Sequence, residues 1–330
     1  MNLLICGGAG YIGSHMVALL IEKGHQVSVI DNLSTGHQQA LPTEVNFYQG
    51  DLRDEKFLNE VFANNQFEAV IDFAAFSLVG ESVENPLKYF DNNVGSVIHL
   101  LKVMANHHVK KIVFSSTAAT YGEVEGTNLI TETTPTKPIN PYGASKKMVE
   151  DILEWSDQAY GIKYTVLRYF NVAGAHPAGL IGEDHLCETH LIPLIIKAAL
   201  GEREHIKIFG EDYPTPDGTC IRDYIHVMDL VNAHLLSLER LEKGGASAIY
   251  NLGNGAGFSV KEIVEAVEQV VGAEIPKVTE ARRAGDPAIL VASSAKATAE
   301  LNWQPAYTEI QEIIQTAWKW HQSHPKGYSK

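Results

Sequence analysis

The chain has 330 residues, of which 45% are hydrophobic and 20% charged, enough for two domains or one large domain with an appended lobe. Its formal net charge of −14 at pH 7 argues against nucleic acid and anionic membrane as partners, so an anionic ligand would have to be met by locally placed cations. No apolar run is long enough to span a bilayer. The first strand pattern starts by Leu3, which leaves no room for a signal peptide. The three cysteines, Cys6, Cys187 and Cys220, are odd in number and lack metal-type spacing, so they read as reduced thiols of a cytoplasmic protein.

Residues 2–6 are a short apolar run of the kind that forms a buried parallel strand. Gly7, Gly10 and Gly13 follow at once, and Ile12, Val17, Leu20 and Ile21 then recur at helical spacing up to Gly24. Strand, glycine turn and helix in that order form a dinucleotide site: bare backbone admits a pyrophosphate, and the helix N-terminus favours its charge. The next strand, 26–31, ends in Asp31. A carboxylate there accepts from ribose hydroxyls and repels a 2′-phosphate, which selects NAD over NADP. Asp51 and Leu52, after a strand near 45–48, stand where an adenine-contacting turn would be.

Strand-like runs at 69–74, 111–116 and 164–170 alternate with helical runs at 54–64, 87–107 and 142–160. This rhythm predicts an α/β fold with a Rossmann-type doubly wound parallel sheet and ligands at the carboxyl ends of its strands. Ser115, Ser116 and Thr117 lie at such an end. Asn140 suits a helix N-cap and Pro141 the first helical position, so a helix starts there. Tyr142 and Lys146 are then i and i+4 on one face. A phenol ionises at roughly 10, and a nearby cation lowers that by about 1–3, which makes Tyr142 a candidate general base.

Together Gly7, Gly10, Gly13, Asp31, Ser115–Thr117 and the Tyr142/Lys146 pair resemble the extended short-chain dehydrogenase/reductases. The segments around Arg168–Asn171, His190–Pro193, Phe209–Val227, Tyr250–Gly253 and Arg282–Asp286 resemble the UDP-hexose 4-epimerases of that family. The resemblance implies that a tightly held NAD is reduced and reoxidised within one turnover while UDP-glucose and UDP-galactose interconvert. Tyr142 would take the proton of the 4-hydroxyl, Thr117 would hydrogen-bond the same oxygen, and Lys146 would hold the nicotinamide ribose and depress the Tyr142 pKa. It extends the cofactor site to Tyr11, Ile12, Asn32, Phe73, Ala74, Ala75, Ser115 and Phe170. The substrate side would comprise Asn171, His190, Leu191, Phe209, Arg222, Tyr224, Arg283, Asp286 and Leu290. Arg222 and Arg283 would fork onto the diphosphate, with salt bridges to Asp223 and Asp286 as the alternative use of those guanidinium groups. Leu290 would border the hexose. Ser77 departs from a lysine that some relatives carry near the cofactor.

After residue 172 the alternation loosens. Short strands at 206–209, 248–252 and 277–279 mix with helices near 192–200, 227–241, 260–270, 294–301 and 307–321. The expected division is a dinucleotide-binding domain over 1–172 and a smaller mixed α/β substrate lobe over 173–330, with the chain free to cross back. The scattered histidines show no metal-ligand spacing. The resemblance further implies a homodimer built on the helices at 87–107 and 142–160, with Leu100, Leu101, Val149 and Leu153 as candidate apolar faces. Competing readings are a 4-epimerase of UDP-N-acetylglucosamine, UDP-glucuronate or UDP-xylose, and a non-catalytic NAD-sensing regulator. A 4,6-dehydratase would need acidic residues where Ala118 and Ala119 stand.

Overall fold

The computed structural model describes residues 1–124, 129–283 and 286–328. In chain order the first half forms β1 (Asn2–Cys6), α1 (Tyr11–Glu22), β2 (Gln26–Asp31), β3 (Asn46–Gln49), α2 (Glu55–Ala63), β4 (Ala69–Asp72), α3 (Val79–Glu84), α4 (Pro86–Tyr89), α5 (Ser96–Asn106), β5 (Lys111–Ser115), α6 (Pro141–Tyr160) and β6 (Lys163–Tyr169). The second half adds β7 (Asn171–Ala173), α7 (Leu191–Ala199), β8 (Ile206–Phe209), β9 (Ile221–Arg222), β10 (Tyr224–His226), α8 (Val227–Glu242), β11 (Ala248–Leu252), β12 (Phe258–Ser259), α9 (Val260–Val271), β13 (Lys277–Glu280), β14 (Ile289–Leu290), α10 (Ala295–Leu301) and α11 (Ile310–Ser323).

Seven strands form one parallel sheet in the order β11-β6-β5-β4-β1-β2-β3. Strand periodicity divides β1 between two cores. Leu3 and Ile5 enter the layer with α1, α8 and α10, whereas Leu4 and Cys6 enter the layer with α2, α5 and α6. All four are fully buried, as expected of a parallel strand covered on both faces. The strand order reverses at β1, between β2 and β4, and the carboxyl ends there open into the site described below.

The expected break at 172/173 is a crossing of the chain. Strand β11 pairs with β6, and α8 and α10 pack on the main sheet. The run at 248–252 is therefore an edge strand of the large sheet, which its buried Tyr250 and Leu252 require. The smaller lobe has its own core, in which Ile192, Ile195 and Ile196 of α7 meet Ile263 and Val267 of α9 and Ile313 and Ile314 of α11. The helix expected over 87–107 is assembled from α4, a π-helical segment (Phe90–Gly95) and α5.

One expectation for the dimer is corrected. Leu100, Leu101, Val149 and Leu153 are buried against the sheet and offer no free face. A helix over a parallel sheet spends its apolar stripe on the strands beneath. The exposed apolar side chains here include Leu87, Ile98, Met148, Trp155 and Tyr160, with Val83 on the neighbouring α3. All three cysteines are unpaired. Among the described residues no helix is long and apolar enough to cross a membrane.

Candidate active site

The N-terminus of α6 fixes the reacting side chains. The Asn140 side chain accepts from the Gly143 N–H at 2.8 Å, Pro141 occupies the first turn, and Gly161 in the left-handed region ends the helix. A Cβ at Gly143 would lie 2.4 Å from the Ala119 carbonyl oxygen. Glycine there lets α6 press against the turn that follows β5, which brings Tyr142 to Thr117. The sequence reading did not single out Gly143, although its place directly after the tyrosine is the available signal.

Tyr142 and Lys146 are both buried and both line one cleft of about 1070 Å³. Burial pushes the Tyr142 phenol up, and a hydrogen bond with Thr117 opposes that rise. Desolvation dominates, so the phenol rises where the resemblance implied that Lys146 would depress it. The Lys146 ammonium donates to the Ser115 carbonyl at 2.8 Å and lies 4.7 Å from the centre of the Phe114 ring. Burial lowers its pKa to about 8, against the opposing carboxylates of Asp72 and Glu150. Beneath it Glu150 is held by Arg168, with contacts of 3.0 and 2.5 Å, and accepts from the Ser116 hydroxyl at 2.6 Å.

On the opposite wall the glycine turn opens α1 directly onto the cleft. The Gly7 N–H donates to the Ile30 carbonyl at 2.8 Å. Both Asp31 oxygens hold this cradle, accepting from the Ala9 N–H at 3.0 Å and the Leu33 N–H at 2.8 Å. Gly7, Gly10, Tyr11, Ile12, Gly13, Asp31, Asn32, Asp51, Leu52, Phe73, Ala74, Ala75 and Phe170 all line the cleft. These residues fit a dinucleotide, since the Gly13 approach leaves no room for a Cβ and a carboxylate stands at the end of β2.

Thr117, Asn171, His190, Arg283, Asp286 and Leu290 line the same cleft, whereas Ser115, Leu191, Phe209, Arg222 and Tyr224 do not. Ser115 acts through its carbonyl on Lys146, and its hydroxyl lies 2.8 Å from His234 Nε2. Leu191 opens α7. Phe209 is the platform under Arg283, whose guanidinium lies 4.0 Å from the ring centre. Arg222 is held by Asp286 at 2.5 Å, which is the alternative use the sequence left open. Tyr224, expected at the ribose, packs in the core of the smaller lobe because β10 pairs with β7 beneath the cleft floor. The Ala284-Gly285 step of the Arg282–Asp286 motif lies outside the described residues.

The model of the NAD dependent epimerase/dehydratase family matches residues 3–253. The chain belongs to that family. Among related epimerases, the UDP-glucose 4-epimerase of Streptococcus mutans is 57% identical over 330 residues, covering 99% of both chains. A crystal structure of a UDP-glucose 4-epimerase is 58% identical, with a TM-score of 0.98 and 100% of both chains covered. The UDP-glucose 4-epimerase of Bifidobacterium longum, solved with NAD+ and UDP, is 40% identical with a TM-score of 0.93, covering 99% of this chain and 100% of that one.

A further group at this cleft of the epimerase-family fold was not found from the sequence. Glu183, His185 and Cys187 join His190 along its wall. The Glu-x-His-x-x-Glu-x-His spacing of residues 183–190 is the signal that points to them.

Proposed function

We propose that the protein interconverts UDP-glucose and UDP-galactose by inverting C4 of the hexose, with NAD as its resident cofactor. The observation that carries this reading is the convergence of Tyr142, Lys146 and Thr117 with the glycine turn and Asp31 on one cleft. The names of the full-length relatives support it. NAD, when bound, would supply reversible hydride transfer at C4 of the hexose. Gly7, Gly10, Gly13 and the start of α1 would hold its pyrophosphate and Asp31 its adenosine ribose.

Tyr142 takes the proton from the 4-hydroxyl, and Thr117, already hydrogen-bonded to that phenol, steadies the same sugar oxygen. Lys146 keeps a cation in a site from which water is excluded. Arg283 offers the diphosphate a guanidinium with no carboxylate partner among the described residues. Asn171, His190 and Leu290 shape the substrate end. UDP is held by charge and the hexose by shape, so the 4-keto sugar can turn over while its nucleotide stays fixed.

The enzyme works in the cytoplasm, to which its unpaired cysteines are suited, and as a homodimer. The exposed Val83, Leu87, Met148 and Trp155 on α3, α4 and α6 supply the apolar face for a second copy. Purified protein given UDP-galactose and no added cofactor should form UDP-glucose. A protein that binds NAD but leaves both sugars unchanged would refute the assignment and favour the regulator.

A further inference from the structure

The loop between β7 and α7 brings together four side chains, of which the proposed epimerisation uses only His190. The Glu183 and Glu188 side chains are 5% and 4% exposed, and among the described residues neither has a lysine or arginine partner. Instead each of two imidazole nitrogens faces one oxygen of each glutamate. His185 Nδ1 lies 3.3 Å from Glu183 and 3.2 Å from Glu188, and His190 Nδ1 lies 3.0 Å and 2.8 Å from the same two residues. One ligand atom from every member lies within 4.8 Å of all the others.

A ring nitrogen has one proton or one lone pair, so it cannot make two full hydrogen bonds. The two nitrogens and the carboxylate oxygens converge as ligands around a common centre do, with Glu188 turning a different oxygen to each ring. Four ligands at about 2.0–2.2 Å from Zn2+ in a tetrahedron stand about 3.3–3.6 Å apart. The four nitrogen–oxygen separations of 2.8–3.3 Å need to open by about 0.8 Å at most to match, and the remaining pairs lie within 4.8 Å. A dication would cancel the charge of the two buried carboxylates in place of the imidazole protons that now face them, and would release those protons on binding. Paired imidazole nitrogens favour a transition metal over magnesium or calcium.

We infer that Glu183, His185, Glu188 and His190 bind one divalent ion of the zinc class, which fixes the conformation of this loop at the mouth of the cofactor cleft. Four protein ligands close the coordination shell, so the ion is structural. The loop already touches the cradle. The Tyr11 hydroxyl donates to the Gly174 carbonyl at 2.6 Å, and His37 Nε2 lies 3.0 Å from the Asp184 carbonyl oxygen. Tyr11 and His185 meet edge to face with ring centres 6.5 Å apart. Coordination through Nδ1 leaves His190 Nε2 available to a substrate.

The test uses the full chain, dialysed against a chelator and titrated with Zn2+ by calorimetry and with Co2+ by visible absorption. The expected result is one ion per chain, proton release on binding, and the intense d–d bands of four-coordinate Co2+. His185→Gln keeps a hydrogen-bonding side chain but loses the ligand, and should weaken Zn2+ binding by about 100-fold or more. Cys187→Ser should bind as the wild type does. Zn2+ should also slow protease cleavage within 175–190. Wild-type protein that binds no stoichiometric ion, or His185→Gln that binds undiminished, would overturn the site. Loss of binding in Cys187→Ser would overturn the ligand set, and cleavage indifferent to Zn2+ would overturn the fixing of the loop. Metal content is read without any sugar substrate, so the epimerase assignment can fail or stand independently.

Discussion

Replacing Gly13 by alanine tests whether the turn between β1 and α1 holds the cofactor by close backbone approach. A Cβ built at Gly13 lies 2.2 Å from the Gly7 carbonyl oxygen, 2.8 Å from Gly8 Cα and 3.0 Å from the Gly7 carbonyl carbon. Reaching even 3.0 Å from that oxygen requires a shift of about 0.8 Å, the difference between 3.0 and 2.2 Å. Gly7 cannot supply it, because its N–H is fixed on Ile30 at 2.8 Å and its φ of 71° is left-handed. The start of α1 must therefore move away from β1 and carry its free N–H groups with it. Overpacking of this kind costs about 1–3 kcal/mol, which a chain with a core of this size survives. A misplacement near 1 Å at a binding site can cost about 100-fold. Gly13→Ala should fold with wild-type circular dichroism, melt a few degrees lower and emerge from purification depleted of NAD. Gly95→Ala is the matched control, since its nearest neighbour is 3.8 Å away and its backbone is helical. That control should hold full NAD and gain about 0.5–1 kcal/mol. NAD content measured after denaturation decides the matter, and a fully loaded Gly13→Ala would refute the close-approach argument.

Tyr142→Phe should keep UDP affinity and lose roughly 10²–10⁴-fold in kcat. Thr117→Val removes the hydrogen bond that opposes burial of the phenol and should move the pH profile of kcat to higher pH; an unmoved profile would show that Thr117 does not tune it. Asp31→Ala should narrow the preference for NAD over NADP, read by equilibrium binding of the two dinucleotides at equal concentration. The Lys146 pKa is lowered from 10.5 to about 8, so burial of its charge destabilises the fold fully below pH 8 and the penalty fades as pH rises to 10.5. The stability of wild type relative to Lys146→Met in urea should therefore increase across that window, by about 3 kcal/mol at most. Leu290→Cys should raise kcat/KM on N-acetylated UDP-hexoses relative to UDP-galactose and Leu290→Tyr should lower it, each within the roughly 1–3 kcal/mol that an apolar wall can supply. An unchanged ratio in both would remove Leu290 from the gate.

Much of the first half was legible because its signals are local. The glycine turn, the Asn140 cap and the alternation of apolar runs each constrain a few consecutive residues, and alternation at that rhythm implies a parallel sheet with helices on both faces. The second half was less legible because its contacts join distant segments. Strand β14 pairs Leu290 with Arg222 of β9, and no periodicity within either dipeptide announces the partnership. Packing also overruled chemistry at Tyr224, where a hydroxyl suited to a ribose serves a core instead. At Leu100, Leu101, Val149 and Leu153, an amphipathic stripe tells that a helix is covered but not by what. The Glu183–His190 quartet was missed for a related reason. Its ligands alternate along an irregular loop, and only the fold shows that they converge.

The charge distribution explains how a chain of net charge −14 can hold a nucleotide anion. Arg222 is engaged by Asp286 at 2.5 Å, which keeps one guanidinium beside the cleft but already neutralised. Arg283 rests on Phe209 and, among the described residues, on no carboxylate. Stacking fixes the plane of its fork and leaves its donors unused, so a phosphate meets a preoriented cation without first breaking an ion pair. Lys146 is different in kind. Desolvation raises the free energy of its ammonium, and any ligand oxygen that reaches it relieves that cost. The nucleotide end of the cleft therefore discriminates by charge, through the preoriented Arg283. The hexose end offers Thr117, Tyr142 and the apolar Leu290, where discrimination is by volume and shallow. A site graded in this way grips one end of its substrate while permitting the other to turn, which inversion at C4 demands.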